Sequence, residues 1–228
     1  MEKTVLLFES RELCYESNRY FVACLKDAFE SFGYPVEVCD LSERMEMKLE
    51  SILERQENYL FAIDFNSLLP RLELEDGQPY LEALQIPFYD YLVDHPLYHH
   101  LGLIRIPAKH SVICIDTCHL DYIRQYYPSV TNSFCLPLGA MQAEFERSFS
   151  QKRLELLFLG TYDSEKDFYQ EEFAIRLNHD YLADFYLRNK NRKETVLAAA
   201  ESKIPFTIIG HGWKEVKGLD KKHVQIYA

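Results

Sequence analysis

Glycine is scarce in this chain, at 8 of 228 residues. No G-x-G-x-x-G, no G-x-x-x-x-G-K-[ST] and no G-x-S-x-G occurs. These absences exclude the standard dinucleotide fingerprint, the P-loop NTPases and the common hydrolase elbow. No apolar run approaches the ~20 residues needed to span a bilayer. The amino terminus, MEKTVLLFESRE, carries a short apolar run flanked by acids and does not read as a signal peptide. Positive charge is also in short supply. Lys and Arg number 25 against 36 Asp and Glu, a net charge of −11. A general nucleic-acid binder needs a basic face to displace counterions, and an anionic membrane surface needs one too, so both partners are disfavoured. There is no C-x-x-C, no internal repeat, no low-complexity tract and no N-glycosylation sequon.

What is present is a folding composition. Hydrophobic residues make up 47% of the chain and aromatics 14%, which argues against disorder. With 16 Tyr and 15 Phe, most aromatic rings must be core even if some line a sugar site. A chain of this length buries roughly 70% of its unfolded surface, and the length allows one or two domains. Six cysteines occur, at Cys14, Cys24, Cys39, Cys114, Cys118 and Cys135. Their surroundings are apolar and no export signal precedes them, so they read as reduced thiols of a cytoplasmic protein.

The first ~140 residues alternate strand and helix patterns. Strands are predicted at Lys3–Glu9, Pro35–Asp40, Tyr59–Asp64, Phe88–Asp94, Ser111–Asp116 and Ser133–Leu138. Between the first two, Phe21, Leu25, Ala28, Phe29 and Phe32 keep helical spacing, and Gly33 sits where a helix C-cap belongs. Ser42 is placed to cap a second helix and Thr117 a later one. Near-continuous apolar strands joined by helices predict a parallel sheet covered on both faces. After a connection near residues 141–153 the pattern restarts, with strands at Leu154–Leu159, Ile204–Ile209 and Val224–Tyr227. Helices are expected over 165–189 and 194–203. The predicted domains are 1–140 and 151–228, two Rossmann-like units of which the second is small or truncated.

Five predicted strands end in an acid: Glu9, Asp40, Asp64, Asp94 and Asp116. Ligands of open parallel sheets bind outside the carboxyl ends of the strands. The acids therefore read as a cleft for hydroxyls, a cation or a metal, or as a source of a general base. Helix capping explains each singly just as well. The run from Asp94 to His100, DHPLYHH, follows a predicted buried strand. His95 and His99 are four apart, as a metal pair on a helix would be, but Pro96 intervenes and a third ligand is missing. His95 tuned by Asp94 as a base or hydrogen-bond donor is the other reading. Cys114 and Cys118-His119 look metal-like, yet Cys114 lies inside an apolar strand. Asp64, Asn66 and Ser67 suit a turn or a sugar's hydroxyls. In the second unit, Gly160-Thr161-Tyr162 and Gly210-His211-Gly212-Trp213 follow strands. Glycines there either admit a ligand to backbone N–H groups or make plain turns, and Tyr162 and Trp213 are candidates for stacking on a base.

Four segments, IPFYDYLVDHPLYHH (86–100), IDTCHLDYIRQYYP (115–128), LLFLGTY (156–162) and IPFTIIGHGW (204–213), resemble in that order bacterial group-1-type glycosyltransferases. The similarity runs over roughly residues 60 to 228. It implies a GT-B architecture: two Rossmann-like domains, the first for the acceptor and the second for a nucleotide-sugar donor. By the same resemblance, Asp94 and His95 are candidate catalytic residues. Asp64, Asn66, Ser67, Asp116 and His119 are candidate substrate-binding residues. Gly160, Thr161, Tyr162, Gly210, His211, Gly212 and Trp213 are candidate donor-binding residues. No bound metal is implied, and a divalent ion would at most assist a nucleotide-sugar co-substrate. The acceptor would be a glycan, protein or lipid. The family carries a further half-domain beyond the last segment, so the donor site is expected to be incomplete and an open sheet edge to favour self-association. An inactive carbohydrate- or nucleotide-binding protein of the same fold, a metal-dependent hydrolase using the strand-end carboxylates and a regulatory interaction module are the other readings.

Overall fold

The computed structural model describes residues 3–11, 17–139, 148, 156–162, 179–219 and 222–227. The chain is α/β and divides into two compact units, Met1–Ala140 and Met141–Ala228. The first unit runs β1 (Thr4–Glu9), α1 (Ser17–Ser31), β2 (Val36–Asp40), α2 (Met45–Glu54), β3 (Tyr59–Phe65), α3 (Tyr80–Ala83), β4 (Phe88–Leu92), α4 (His100–Leu103), β5 (Ser111–Cys114), α5 (Thr117–Tyr126) and β6 (Asn132–Cys135). Its six strands form one parallel sheet in the order β2-β1-β3-β4-β5-β6. The order reverses between β1 and β3. Successive right-handed crossovers therefore change side at that point.

The two faces show the consequence. One carries Val5, Leu7, Ile63, Phe65, Tyr91 and Ile113 and is packed by Val22 and Leu25 of α1. The other carries Ala62, Phe88, Leu92, Val112 and Cys114 and is packed by Leu49, Leu81, Leu103 and Leu120 from α2 to α5. Gly33 ends α1 as its position predicts. It takes a φ of 86°. Its N–H bonds to Glu30 O at 3.0 Å, and that of Tyr34 to Phe29 O at 3.0 Å, the paired bonds of a Schellman cap.

Two local expectations are corrected. Ser42 does not cap α2, which starts after Arg44 in a left-handed conformation. Ser42 instead closes a turn, its N–H bonding Asp40 Oδ1 and its Oγ accepting the Arg11 N–H, each at 2.9 Å. The cap of α5 is Asp116 rather than Thr117, because the carboxylate reaches the His119 N–H at 2.8 Å.

The second unit holds β7 (Leu156–Leu159), α6 (His179–Glu201), β8 (Phe206–Ile209) and β9 (Val224–Tyr227), its strands parallel in that order. Where two helices were expected, His179–Glu201 is one continuous helix. The expected helical stretch 165–178 and the connection 141–147 lie outside the described residues. Val196 and Ala200 of α6 pack with Phe158, Phe206, Ile208, Trp213 and Val224. The opposite face of the three strands exposes Leu157, Leu159, Ile209 and Tyr227. Among the described residues no helix is long and apolar enough to cross a membrane.

Candidate functional site

The exits of β3 and β4 are tied to each other. Asn66 and Ser67 leave β3 in left-handed backbone conformations, with φ of 56° and 55°. Such φ values are uncommon outside glycine, and Asn tolerates them better than Ser. The turn they make aims the Asn66 amide across to the β4 exit. Its Oδ1 accepts the N–H groups of Val93 at 2.9 Å and Asp94 at 3.3 Å. Its Nδ2 donates to Asp94 Oδ2 at 2.9 Å. In return, Asp90 of β4 accepts the Ser67 N–H at 2.9 Å and the Ser67 hydroxyl. The result is an exposed Asp94 carboxylate held in one orientation by a buried amide. Asn66, a candidate for substrate contact, has its amide engaged in positioning Asp94.

The segment after Asp94 brings a cluster of imidazoles to the same edge. His95 caps the short helical turn Pro96–His99, its Nδ1 accepting the Leu97 N–H at 3.1 Å. In the neutral ring the proton then sits on Nε2. The His95 ring lies edge-on to His119 at 4.8 Å and to Tyr122 at 4.7 Å between centroids. His119 Nε2 stands 3.5 Å from Asp116 Oδ2. The structure thus brings Asp94, His95, Asp116 and His119 to one edge. Tyr122 joins them one turn along α5 from His119. His99 is 6% exposed and neither ring nitrogen completes a hydrogen bond. Burial, helped by the Arg71 guanidinium, pushes its pKa down to about 3, so it stays neutral.

Beneath this edge, Asp64 and Asp90 are register partners on β3 and β4. They are 1% and 0% exposed. Burial lifts the Asp64 carboxyl to about 8, with the Asp90 charge adding to the rise. Burial also raises Asp90 to about 6, against the opposing pull of the Ser67 hydrogen bonds and of Arg71. Asp64 Oδ2 accepts the Leu69 N–H at 2.7 Å. Asp64 and Ser67, expected to touch substrate, therefore have their polar atoms turned into the protein. The other strand-end acids are spent separately. Glu9 stands 3.6 Å from Arg19, and Asp40 stands 3.9 Å from Arg11 while accepting the Ser42 N–H. Of the five strand-end acids, Glu9 and Asp40 are register partners on β1 and β2 and each stands near an arginine, while Asp64 is buried. Among the described residues no group of three or more His, Cys, Asp or Glu is spaced to hold a metal ion. The described cysteines, Cys24, Cys39, Cys114, Cys118 and Cys135, are unbridged. Burial pushes the Cys39 and Cys114 thiols up to about 11 and about 12, which leaves both inert. Cys14 lies outside the described residues.

In the second unit the glycines serve contact between two loops. A Cβ on Gly210 would stand 2.3 Å from Gly160 O, and one on Gly212 would stand 1.9 Å from Tyr162 O. The N–H groups of Gly160, Tyr162 and Gly210 bond to Ile209 O, His211 O and Tyr227 O at 3.0, 3.0 and 2.8 Å. Those amides extend the ladder of β7, β8 and β9 and do not face a ligand. Trp213 is fully buried, its indole N–H donating to Gly160 O at 2.6 Å, so it offers no face for a base. Tyr162 is half-buried, with Lys193 Nζ 5.9 Å from its ring centroid. Arg192 donates to Thr161 O. This pair of cations at the β7 exit was not anticipated, because both lie far along the sequence on α6. No family model, curated protein or solved structure matches the chain.

Proposed function

We propose that the chain is a glycosyltransferase-like protein whose first unit receives a hydroxyl-bearing acceptor at Asp94 and His95. The observation that carries this reading is the Asn66 amide fixing an exposed carboxylate beside an imidazole at the sheet's carboxyl edge. A carboxylate so held removes the proton of an attacking hydroxyl, and an Nε2–H donor orients the incoming oxygen. His119 and Asp116 border the same acceptor. The second unit takes the nucleotide-sugar donor. The diphosphate leaving group builds negative charge in the transition state. With the glycine amides engaged, Arg192, Lys193 and His211 meet that charge, and Tyr162 meets the base or ribose. A cytoplasmic setting is part of the same proposal, in keeping with reduced thiols at the described cysteines.

The experiment is a thermal-melt panel of nucleotides and nucleotide sugars, with and without a divalent ion, followed by measured sugar release. A ligand at a hundred times its dissociation constant adds about 2.7 kcal/mol to stability, a visible shift. One nucleotide class is expected to raise the melting temperature. Asp94→Asn is expected to keep that shift and to lose turnover by roughly 10²–10⁴-fold. A shift without turnover by the wild type converts the reading to an inactive binding protein of the same fold. Neither a shift nor turnover sinks the proposal.

A further inference from the structure

The two carboxyls beneath the site lie where a sheet normally holds apolar side chains. Asp64 and Asp90 share the face of Ala62, Phe88, Leu92, Val112 and Cys114. Among the described residues neither forms an ion pair. The groups that face them are each other, the Arg71 charge acting on Asp90, and the neutral Cys114 thiol of β5. Apart from the backbone of Phe65 at the end of β3, which also bonds Asp64, their hydrogen-bond donors come from one segment. Ser67 supplies its N–H and hydroxyl to Asp90, and Leu69 supplies its N–H to Asp64. Two negative charges on neighbouring strands of a dry face repel strongly and are poorly solvated.

We propose that Asp64 and Asp90 hold one proton between them and that this proton latches the 66–71 turn, and with it the placement of Asp94. When the proton leaves, the second charge can reach water only if the 66–71 segment peels away from the sheet. That segment carries Asn66, which fixes the Val93 and Asp94 backbone and the Asp94 carboxylate. Loss of one proton from a buried pair thus becomes loss of order at the strand exits. The raised Asp64 value, about 8, sets the upper end of the pH range over which the latch weakens. The sign follows from linkage: a carboxyl whose folded value lies above its unfolded value contributes fully below the unfolded value, and that contribution falls away as the pH rises towards the folded value, where the loss is complete. This inference stands independently of the sugar-transfer reading.

The test has two arms. Infrared titration of the wild-type protein is expected to show the carbonyl stretch of one protonated carboxylic acid at neutral pH, vanishing as the pH rises and missing in Asp64→Asn. Amide hydrogen exchange over 66–71, corrected for intrinsic rates, is expected to lose protection by up to tenfold per pH unit as the pH rises towards about 8 in the wild type, and to level off above it. Asp64→Asn mimics the protonated acid, so its protection should be flat. If that variant does not fold, Asp90→Asn should keep the acid band and lose it at lower pH than the wild type, because burial still raises Asp64 and only the Asp90 charge is gone. Absence of a protonated-acid band in the wild type at neutral pH overturns the proposal. So does pH-dependent protection in Asp64→Asn as steep as in the wild type, or an acid band in Asp90→Asn that persists to the same pH as in the wild type.

Discussion

Gly102 of α4 lies directly against Ser67, so closely that a methyl group on it would stand 2.4 Å from Ser67 Cβ and 3.0 Å from Ser67 O. Neither atom belongs to the end of a flexible side chain. Ser67 is also pinned from the other side by Asp90. Gly102→Ala must therefore push the turn away from β4. The expected cost is about 1–3 kcal/mol, the usual range for forcing extra carbon into a packed region. Gly139 has open space at its Cβ position, and Gly139→Ala should stay within about 0.5 kcal/mol of wild type. Urea unfolding of the two variants checks both figures, and equal midpoints would count against the contact.

Asn66 invites a comparison whose sign is unusual. In most elements Ala is more stable than Gly. At a φ of 56° the preference reverses. Both Asn66→Gly and Asn66→Ala lose the amide's bonds to Val93 and Asp94 and should cost about 1–3 kcal/mol. The Ala variant should fall a further ~1–2 kcal/mol below the Gly variant, because only glycine takes the left-handed conformation without steric cost. Denaturant midpoints decide the order. Ala above Gly would mean that the turn is not held left-handed in solution.

The alternation of strands and helices was legible because parallel strands are apolar from end to end and the crossovers keep helical spacing. LLF, FAI and SVIC could be placed without knowing their neighbours. The site was legible only in part. Asp94, His95, Asp116 and His119 stood out because they follow apolar runs, and these are the residues gathered at one edge. Asp90 went unnoticed because it lies inside its strand, between Tyr89 and Tyr91. The available signal was an acid in the middle of a segment whose other residues demand burial on both faces. Asn66 was read as a ligand contact because sequence cannot show that its amide reaches residues 93 and 94, a strand away. Gly102 and Arg192 depend on contacts across 35 and 31 positions, with Ser67 and Thr161. The glycines of the second unit stay open between two readings in the sequence for the same reason: a glycine that admits a neighbouring backbone has the same sequence signature as one that admits a phosphate.

The single tryptophan makes that last point measurable. Trp213 is fully buried and reports only on the second unit. In the wild type its fluorescence should resist quenching by iodide, and nucleotides should not quench it by stacking. Gly212 sits at φ 81°, with Tyr162 O 1.9 Å from its Cβ position. Gly212→Ala should displace the Tyr162 loop, weaken the Trp213 bond to Gly160 O and open the indole to iodide. A resistant indole in the variant would show that the two loops are not packed as described.

His99 supplies a test of opposite sign to the Asp64 one, with stability falling as acid is added. Its ring is buried, and the Asn66 backbone beside it does not offset burial and the Arg71 charge, so its folded value lies near 3 against an ordinary value of 6.5. For a histidine depressed in this way, the unfolded chain binds the proton first. Its contribution to stability is complete above pH 6.5 and falls away as the pH drops from 6.5 towards 3. His99→Gln keeps a polar group of similar size and cannot titrate. Asp40, whose carboxyl is held below the usual range by its Ser42 hydrogen bonds, adds acid sensitivity of its own, but equally in both proteins, so it cancels in the difference. Stability measured from pH 7 downward should therefore fall faster in the wild type, by an extra slope approaching ~1.4 kcal/mol per pH unit. Parallel curves would mean that His99 protonates in place. In that case the imidazole cluster around His95 and His119 is wetter than its packing indicates, and Asp94 works beside a cation in acid.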